Sequence, residues 1–277
     1  MLRTLDVRRR ARRMVAGICA LAALGLLPLL ALCARADAAL ARTALAEAAA
    51  RHVLATRGPA AATRRDPETL ETEAGDAVHA YPPLDRATSS APVAVMLHGM
   101  CSNAKNLCDY LRGAGREGSW LVCPEGNGRC GEWSDWTGSG EEKAAFLDEG
   151  LRAVRRAYGG EVARAGGDVL MGFSRGAFVA RDVIYARPGR YRGAILIGAA
   201  LDPDPARFKA AGVRRVVMAA GQYDGARGMM ERSVARLSAA GLPARFVNLG
   251  RIGHQLPEDI DRVLADALAW VRADDPA

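Results

Sequence analysis

From Pro92 onward the chain alternates short, unbroken apolar runs with longer stretches in which apolar residues recur every three or four positions. The first pattern predicts strands buried on both faces and the second predicts amphipathic helices. Strands are expected at Val93–Leu97, Trp120–Cys123, Asp168–Met171, Ala194–Ala200, Val213–Ala220 and Arg245–Leu249. Helices are expected at Asn103–Leu111, Glu141–Tyr158, Ala177–Ala186, Met229–Ala240 and Asp259–Arg272. Strand and helix alternating in this way predict an α/β fold, a mostly parallel sheet with helices on both faces. Ligands of such sheets bind beyond the carboxyl ends of the strands.

Residues 37–91 break the pattern. They are rich in Ala, Arg, Thr, Pro and Glu and read as an Ala-rich linker. Ala77–Tyr81 is the exception, a short edge strand stopped by Pro82-Pro83. Before the linker, Met14–Ala34 is uncharged and follows an arginine cluster, and Ala34-Arg35-Ala36 matches an A-x-A cleavage site. Residues 1–36 are therefore expected to be a signal peptide. The uncharged run is also long enough for an uncleaved membrane anchor. Cys33 suggests a lipoprotein, though Leu32 before it is bulkier than such processing wants, and Arg12-Arg13 is compatible with export of a folded protein. Each version carries residues 92–277, the expected catalytic domain, out of the cytoplasm.

Charge adds to this picture only by its placement. The formal charge is +7, but it sits in the N-terminal arginines, and from Asp37 onward basic and acidic residues nearly balance. Nothing in that balance favours nucleic acid or an anionic membrane. Beyond Cys19 and Cys33, four cysteines remain, Cys101, Cys108, Cys123 and Cys130. An even number in one window of an exported protein predicts disulfides. Neighbour pairing, Cys101 with Cys108 and Cys123 with Cys130, is the simplest of three connectivities, and spacing does not choose among them. The spacing lacks the clustering of a zinc site, and no metal or cofactor is expected.

The chemistry centres on Gly172-Phe173-Ser174-Arg175-Gly176, between a predicted strand and a predicted helix. Glycines two residues either side of a serine suit a sharp strand-to-helix turn that exposes the hydroxyl above the sheet. Two later strand ends supply an acid and a base: Asp224 in Gly221-Gln222-Tyr223-Asp224-Gly225, and His254 in Gly250-Arg251-Ile252-Gly253-His254. The order Ser174, Asp224, His254 is that of a nucleophile elbow with its triad partners. Asp202 is a rival acid, although Asp202-Pro203-Asp204-Pro205 is explained as a helix entry. His98 reads as a structural residue bonded to its own loop. Arg175 reads equally as a contact to an acidic substrate or as a solvated surface charge.

On the elbow, the His98-Gly99 turn, Asp224 and His254, the chain from Val93 to Ala273 resembles the α/β-hydrolase family. The resemblance implies the α/β-hydrolase fold, with its first strands abbreviated, and an oxyanion hole from the N–H groups of Met100 and Arg175. It implies a serine hydrolase cleaving carboxylic esters. No lid fits between Leu201 and Arg215, which points to an open site for small or polymer-attached esters. Trp133 and Trp136 are candidates for lining it. The alternatives are a non-catalytic exported binding protein, or a serine peptidase or thioesterase on the same fold.

Overall fold

The computed structural model describes residues 67–85, 90–163 and 167–273. Residues 1–36, expected to be a signal or anchor segment, and most of the expected linker lie outside them. Ten strands are formed: β1 (Glu68–Glu71), β2 (Ala77–Tyr81), β3 (Val93–Leu97), β4 (Trp120–Pro124), β5 (Gly128–Cys130), β6 (Trp133–Asp135), β7 (Asp168–Phe173), β8 (Tyr191–Ile197), β9 (Arg215–Ala220) and β10 (Ala244–Asn248). Six α-helices accompany them among the described residues: α1 (Ala104–Tyr110), α2 (Gly140–Tyr158), α3 (Arg175–Ala186), α4 (Pro205–Ala210), α5 (Arg227–Ala239) and α6 (Ile260–Arg272).

Eight strands make one sheet in the order β1-β2-β4-β3-β7-β8-β9-β10, while β5 and β6 form a separate hairpin. β1, β2 and β4 pair antiparallel, and every pair from β4 to β10 is parallel. The sheet is sandwiched as the periodicity required. On β3, Val93, Val95 and Leu97 face a core shared with α2, α3, α4 and α5, whereas Ala94 and Met96 face one shared with α1 and α6. That burial on both faces is why β3 reads as a continuous apolar run.

Two local features differ from expectation. Ala77–Tyr81 is a strand but not the edge, because β1 covers it; Glu68–Glu71 is mostly solvent-facing and carries little apolar signal. The loop holding the tryptophans contains the β5–β6 hairpin. Between β8 and β9 lies only α4, entered through Asp204, whose side chain accepts from the Ala206 and Arg207 N–H groups, with Pro205 following. No lid domain occupies that connection.

Candidate active site

β7 delivers the serine. Ser174 follows it directly, at φ 54° and ψ −119°, and α3 starts at the next residue. A non-glycine residue at positive φ is strained, and here the packing around the turn compels it. A Cβ on Gly172 would lie 2.2 Å from the Gly176 oxygen, and one on Gly176 would lie 2.2 Å from the Leu97 oxygen. Both glycines are required so that strand, helix and the end of β3 can close on one another. The Ser174 N–H is held by the Ile197 carbonyl at 2.8 Å.

The acid and the base come from the ends of β9 and β10. His254 Nε2 lies 2.9 Å from Ser174 Oγ, and His254 Nδ1 lies 3.0 Å from Asp224 Oδ2. The Asp224 side chain is only 4 % exposed, while that of His254 is 51 % exposed. Asp224 Oδ1 accepts from the Ala226 N–H at 2.9 Å. The His254 ring stacks on Phe173, with centroids 5.2 Å apart. Gly198, at φ 59°, leaves the space that Asp224 and His254 share: a Cβ there would stand 3.2 Å from Asp224 Oδ2. The rival acid is elsewhere. Asp202 is exposed and bound by Arg236 and Ser233.

A strand-turn-helix serine carrying this Ser-His-Asp geometry on an eight-stranded, mostly parallel sheet decides the architecture. This is the α/β-hydrolase fold. Solved structures agree. The esterase of Pyrobaculum calidifontis superposes with TM-score 0.55 at 16 % identity, covering 75 % of this chain and 84 % of that one. The carboxylesterase of Bacillus cereus gives TM-score 0.53 at 19 % identity, covering 72 % and 94 %. A ferulic acid esterase gives 0.52 at 18 %, covering 75 % and 96 %. No protein-family profile and no curated protein sequence matches the chain.

Within this hydrolase fold, the turn Gly99-Met100 abuts the elbow, since a Cβ on Gly99 would lie 3.5 Å from Ser174 Cβ. Arg175 opens α3, so its N–H belongs to the helix's first, unpaired set. Its guanidinium is 3.3 Å from Asp135, which ties the side chain to β6 rather than leaving it free for an acidic ligand. Beside the elbow runs an open groove of about 320 Å³, whose walls include Tyr110, Trp133, Phe173 and Leu256.

The two tryptophans separate. Trp133 is 47 % exposed and lines the groove, but Trp136 is 1 % exposed and lies in the core. Trp136 donates its indole N–H to the His98 carbonyl at 3.0 Å and packs against the His98 and Phe146 rings. Its expected place in the substrate site is corrected accordingly. All four cysteines are bonded, though not as neighbours: Cys101 pairs with Cys130 and Cys108 with Cys123. The simple pairing fails because α1 carries Cys108 across the buried end of β4, while the β5–β6 hairpin folds back over Cys101. Tyr110, Phe173, Glu125 and Ser134 went unread in the sequence. Only Phe173, inside the elbow motif, carried a signal.

His98 is fully buried. Its Nδ1 lies 2.7 Å from the Gly99 carbonyl oxygen and its Nε2 lies 3.0 Å from Ser134 Oγ. Burial pushes it below the ordinary histidine range, against the Gly99 bond and the Glu125 and Asp135 charges. Glu125 sits 2.6 Å from Ser134 Oγ and 3.2 Å from His79 Nε2. Burial would raise its pKa, but the His79 and Ser134 bonds outweigh it and hold the carboxyl below its usual range. Among the described residues, no His, Cys, Asp and Glu cluster could hold a metal ion.

Proposed function

We propose that the protein hydrolyses carboxylic esters through an acyl-enzyme on Ser174. The observation that carries the proposal is the continuous chain from Ser174 Oγ through His254 to the buried Asp224. A serine hydroxyl is too weakly acidic to attack an ester unaided. His254 Nε2 takes its proton as the Oγ–carbonyl bond forms, and returns it to the departing alcohol. Asp224 accepts the Nδ1–H, fixing the tautomer and stabilising the imidazolium. In this reading the N–H groups of Met100 and Arg175 receive the oxyanion, supported by Arg175 opening α3 and by the Gly99-Met100 turn lying against the elbow. Water then repeats the sequence on the acyl-enzyme.

The groove narrows the substrate. It is open, and the β8–β9 connection inserts no lid domain, which favours small esters or ester groups on a polymer over long acyl chains. A cavity of about 150 Å³ holds a benzene, so the larger groove, walled by Tyr110 and Trp133, suits an aromatic group attached to the ester. The name of the ferulic acid esterase superposed above points the same way. Export is part of this reading, supported by the arginine-led uncharged run and by two disulfides. Residues 1–36 are its leader or anchor and 92–277 its catalytic domain, to which β1 and β2 add two strands.

Labelling with a fluorophosphonate, and turnover of p-nitrophenyl acetate beside a p-nitrophenyl aryl ester, test the proposal. Labelling confined to Ser174 and hydrolysis of both esters are expected. A protein that is neither labelled nor active on any p-nitrophenyl ester would overturn it.

A further inference from the structure

The peptide joining Gly99 to Met100 is gripped from one side. A carbonyl can only accept, so the 2.7 Å contact between His98 Nδ1 and the Gly99 oxygen requires a proton on Nδ1. A ring protonated at Nε2 alone would set two lone pairs against each other there. In a trans peptide the C=O and N–H point in opposite directions. Holding the Gly99 oxygen toward His98 therefore turns the Met100 N–H away from the ring. The elbow lies against this same turn, with a Cβ on Gly99 3.5 Å from Ser174 Cβ.

The ring is fixed in turn by the β5–β6 hairpin. Ser134 on β6 meets His98 Nε2 at 3.0 Å, and it is itself held by the Gly126 N–H at 3.0 Å and Glu125 Oε2 at 2.6 Å. The one Ser134 proton goes to Nε2 of a neutral ring, or to Glu125 when Nε2 carries a proton of its own and the ring is charged; in both arrangements the Nδ1 side must still donate to Gly99. The hairpin also binds the turn beyond Met100: Ser102 and Ser134 exchange backbone bonds at 3.1 and 3.2 Å, and Cys101 is bonded to Cys130. Asp135 holds the Arg175 side chain. One small hairpin thus braces both residues whose N–H groups would receive the oxyanion.

We infer that Ser134 and His98 are positioning residues for the oxyanion hole: Ser134 orients the His98 ring, and His98 Nδ1–H aims the Met100 N–H by gripping the Gly99 carbonyl. The inference rests on the ester-hydrolase reading and adds to it two side chains that touch neither substrate nor triad. Such residues act only when charge develops on the carbonyl oxygen, so their loss should lower kcat while leaving KM nearly unchanged.

Ser134→Ala, His98→Asn and the double variant, measured with p-nitrophenyl acetate and with a trifluoromethyl ketone inhibitor, test this. Asn keeps an N–H donor near the place of Nδ1 but has no group to receive Ser134. Removing a whole oxyanion donor costs about 10²–10³ in kcat, so misaiming one should cost about tenfold to a hundredfold. Ser134→Ala should show that loss, with KM within about twofold and inhibitor affinity reduced by the same factor as kcat. His98→Asn should lose less than His98→Leu. Adding Ser134→Ala to His98→Asn should change nothing further, because Ser134 acts through His98.

Multiplying losses in the double variant, or a loss in kcat without a matching loss of inhibitor affinity, would overturn the inference. So would wild-type kcat in Ser134→Ala. Should Ser134→Ala fail to fold, the comparison of His98→Asn with His98→Leu decides, equal losses refuting the role of Nδ1–H. Wild-type inactivity toward both esters and the fluorophosphonate is a separate outcome, and refutes the ester reading itself.

Discussion

Gly176 lies so close beneath the end of β3 that a Cβ on it would stand 2.2 Å from the carbonyl oxygen of Leu97. That approach brings the start of α3, and Ser174 with it, against the His98-Gly99-Met100 turn. Gly176→Ala should therefore cost about 3 kcal/mol or more, at the upper end for overpacking, because backbone rather than a movable side chain is in the way. Gly225 and Gly253 flank Asp224 and His254 but have nothing within 4 Å of a built Cβ. Their alanine variants should stay within about 0.5 kcal/mol of wild type. Urea denaturation of the three proteins checks this, and a Gly176→Ala protein as stable as Gly225→Ala would contradict it.

Activity should follow the hydrogen-bond chain rather than the number of nearby acids. Ser174→Ala should reduce kcat by about 10⁶, and Asp224→Asn by about 10⁴, since an amide can hold the ring but favours the wrong tautomer. Asp202→Asn should leave ester turnover unchanged, because its carboxylate is spent on Arg236 and Ser233. Steady-state kinetics on p-nitrophenyl acetate discriminates; damage from Asp202→Asn would mean the wrong acid has been assigned.

The parts legible in the sequence are those where local pattern and tertiary role coincide. β3, β7 and β8 are buried on both faces and read as apolar runs, and the elbow glycines are fixed by contacts only a few residues or one strand away. The triad could be read because sites on a parallel sheet lie just beyond the carboxyl ends of strands, where Asp224 and His254 follow β9 and β10. β1 was silent because an edge strand such as Glu68–Glu71 needs no apolar face. The β5–β6 hairpin has three-residue strands of mixed polarity, too short for a period to show. Trp133 and Trp136 are three residues apart, and only the hairpin's path decides which one is buried. Disulfide pairing depends on that same path, so it too was illegible.

The two disulfides differ in exposure, which orders their reduction. Cys108 and Cys123 are fully buried, whereas Cys101 is exposed in the turn after Met100, at φ 47°. Their sequence separations of 15 and 29 residues give about 3 and about 3.6 kcal/mol in the chain-entropy model. Mild reductant should open Cys101–Cys130 first, releasing two thiols in the native protein, lowering kcat and, at about 2–4 °C per kcal/mol for a domain of this size, lowering the melting temperature by about 7–14 °C while the buried bridge stays closed. Thiol titration during reduction, with parallel activity assays, follows the order. Simultaneous release of four thiols would show that the buried bridge gives no protection.

Stability should weaken on mild acidification through His98. Burial depresses its folded pKa, while in the unfolded chain it returns to about 6.5. As pH falls below that value the unfolded state binds the proton first, so the stability is fully present above about 6.5 and is lost as pH drops toward the folded pKa. One proton corresponds to a slope of at most about 1.4 kcal/mol per pH unit. Glu125 and Asp109, both held below their usual range, act lower: what they contribute is lost only below about pH 4. Asp168, raised by burial, works in the opposite sense, but it is common to wild type and variant and cancels in their difference. Between pH 7.5 and 5 the unfolding free energy of wild type should therefore fall more steeply than that of His98→Asn, which has no imidazole to protonate there. Urea titrations at half-unit steps measure both slopes. Parallel lines would mean that folded His98 keeps both ring protons, with Ser134 relaying its charge to Glu125, and that its burial does not hold it neutral.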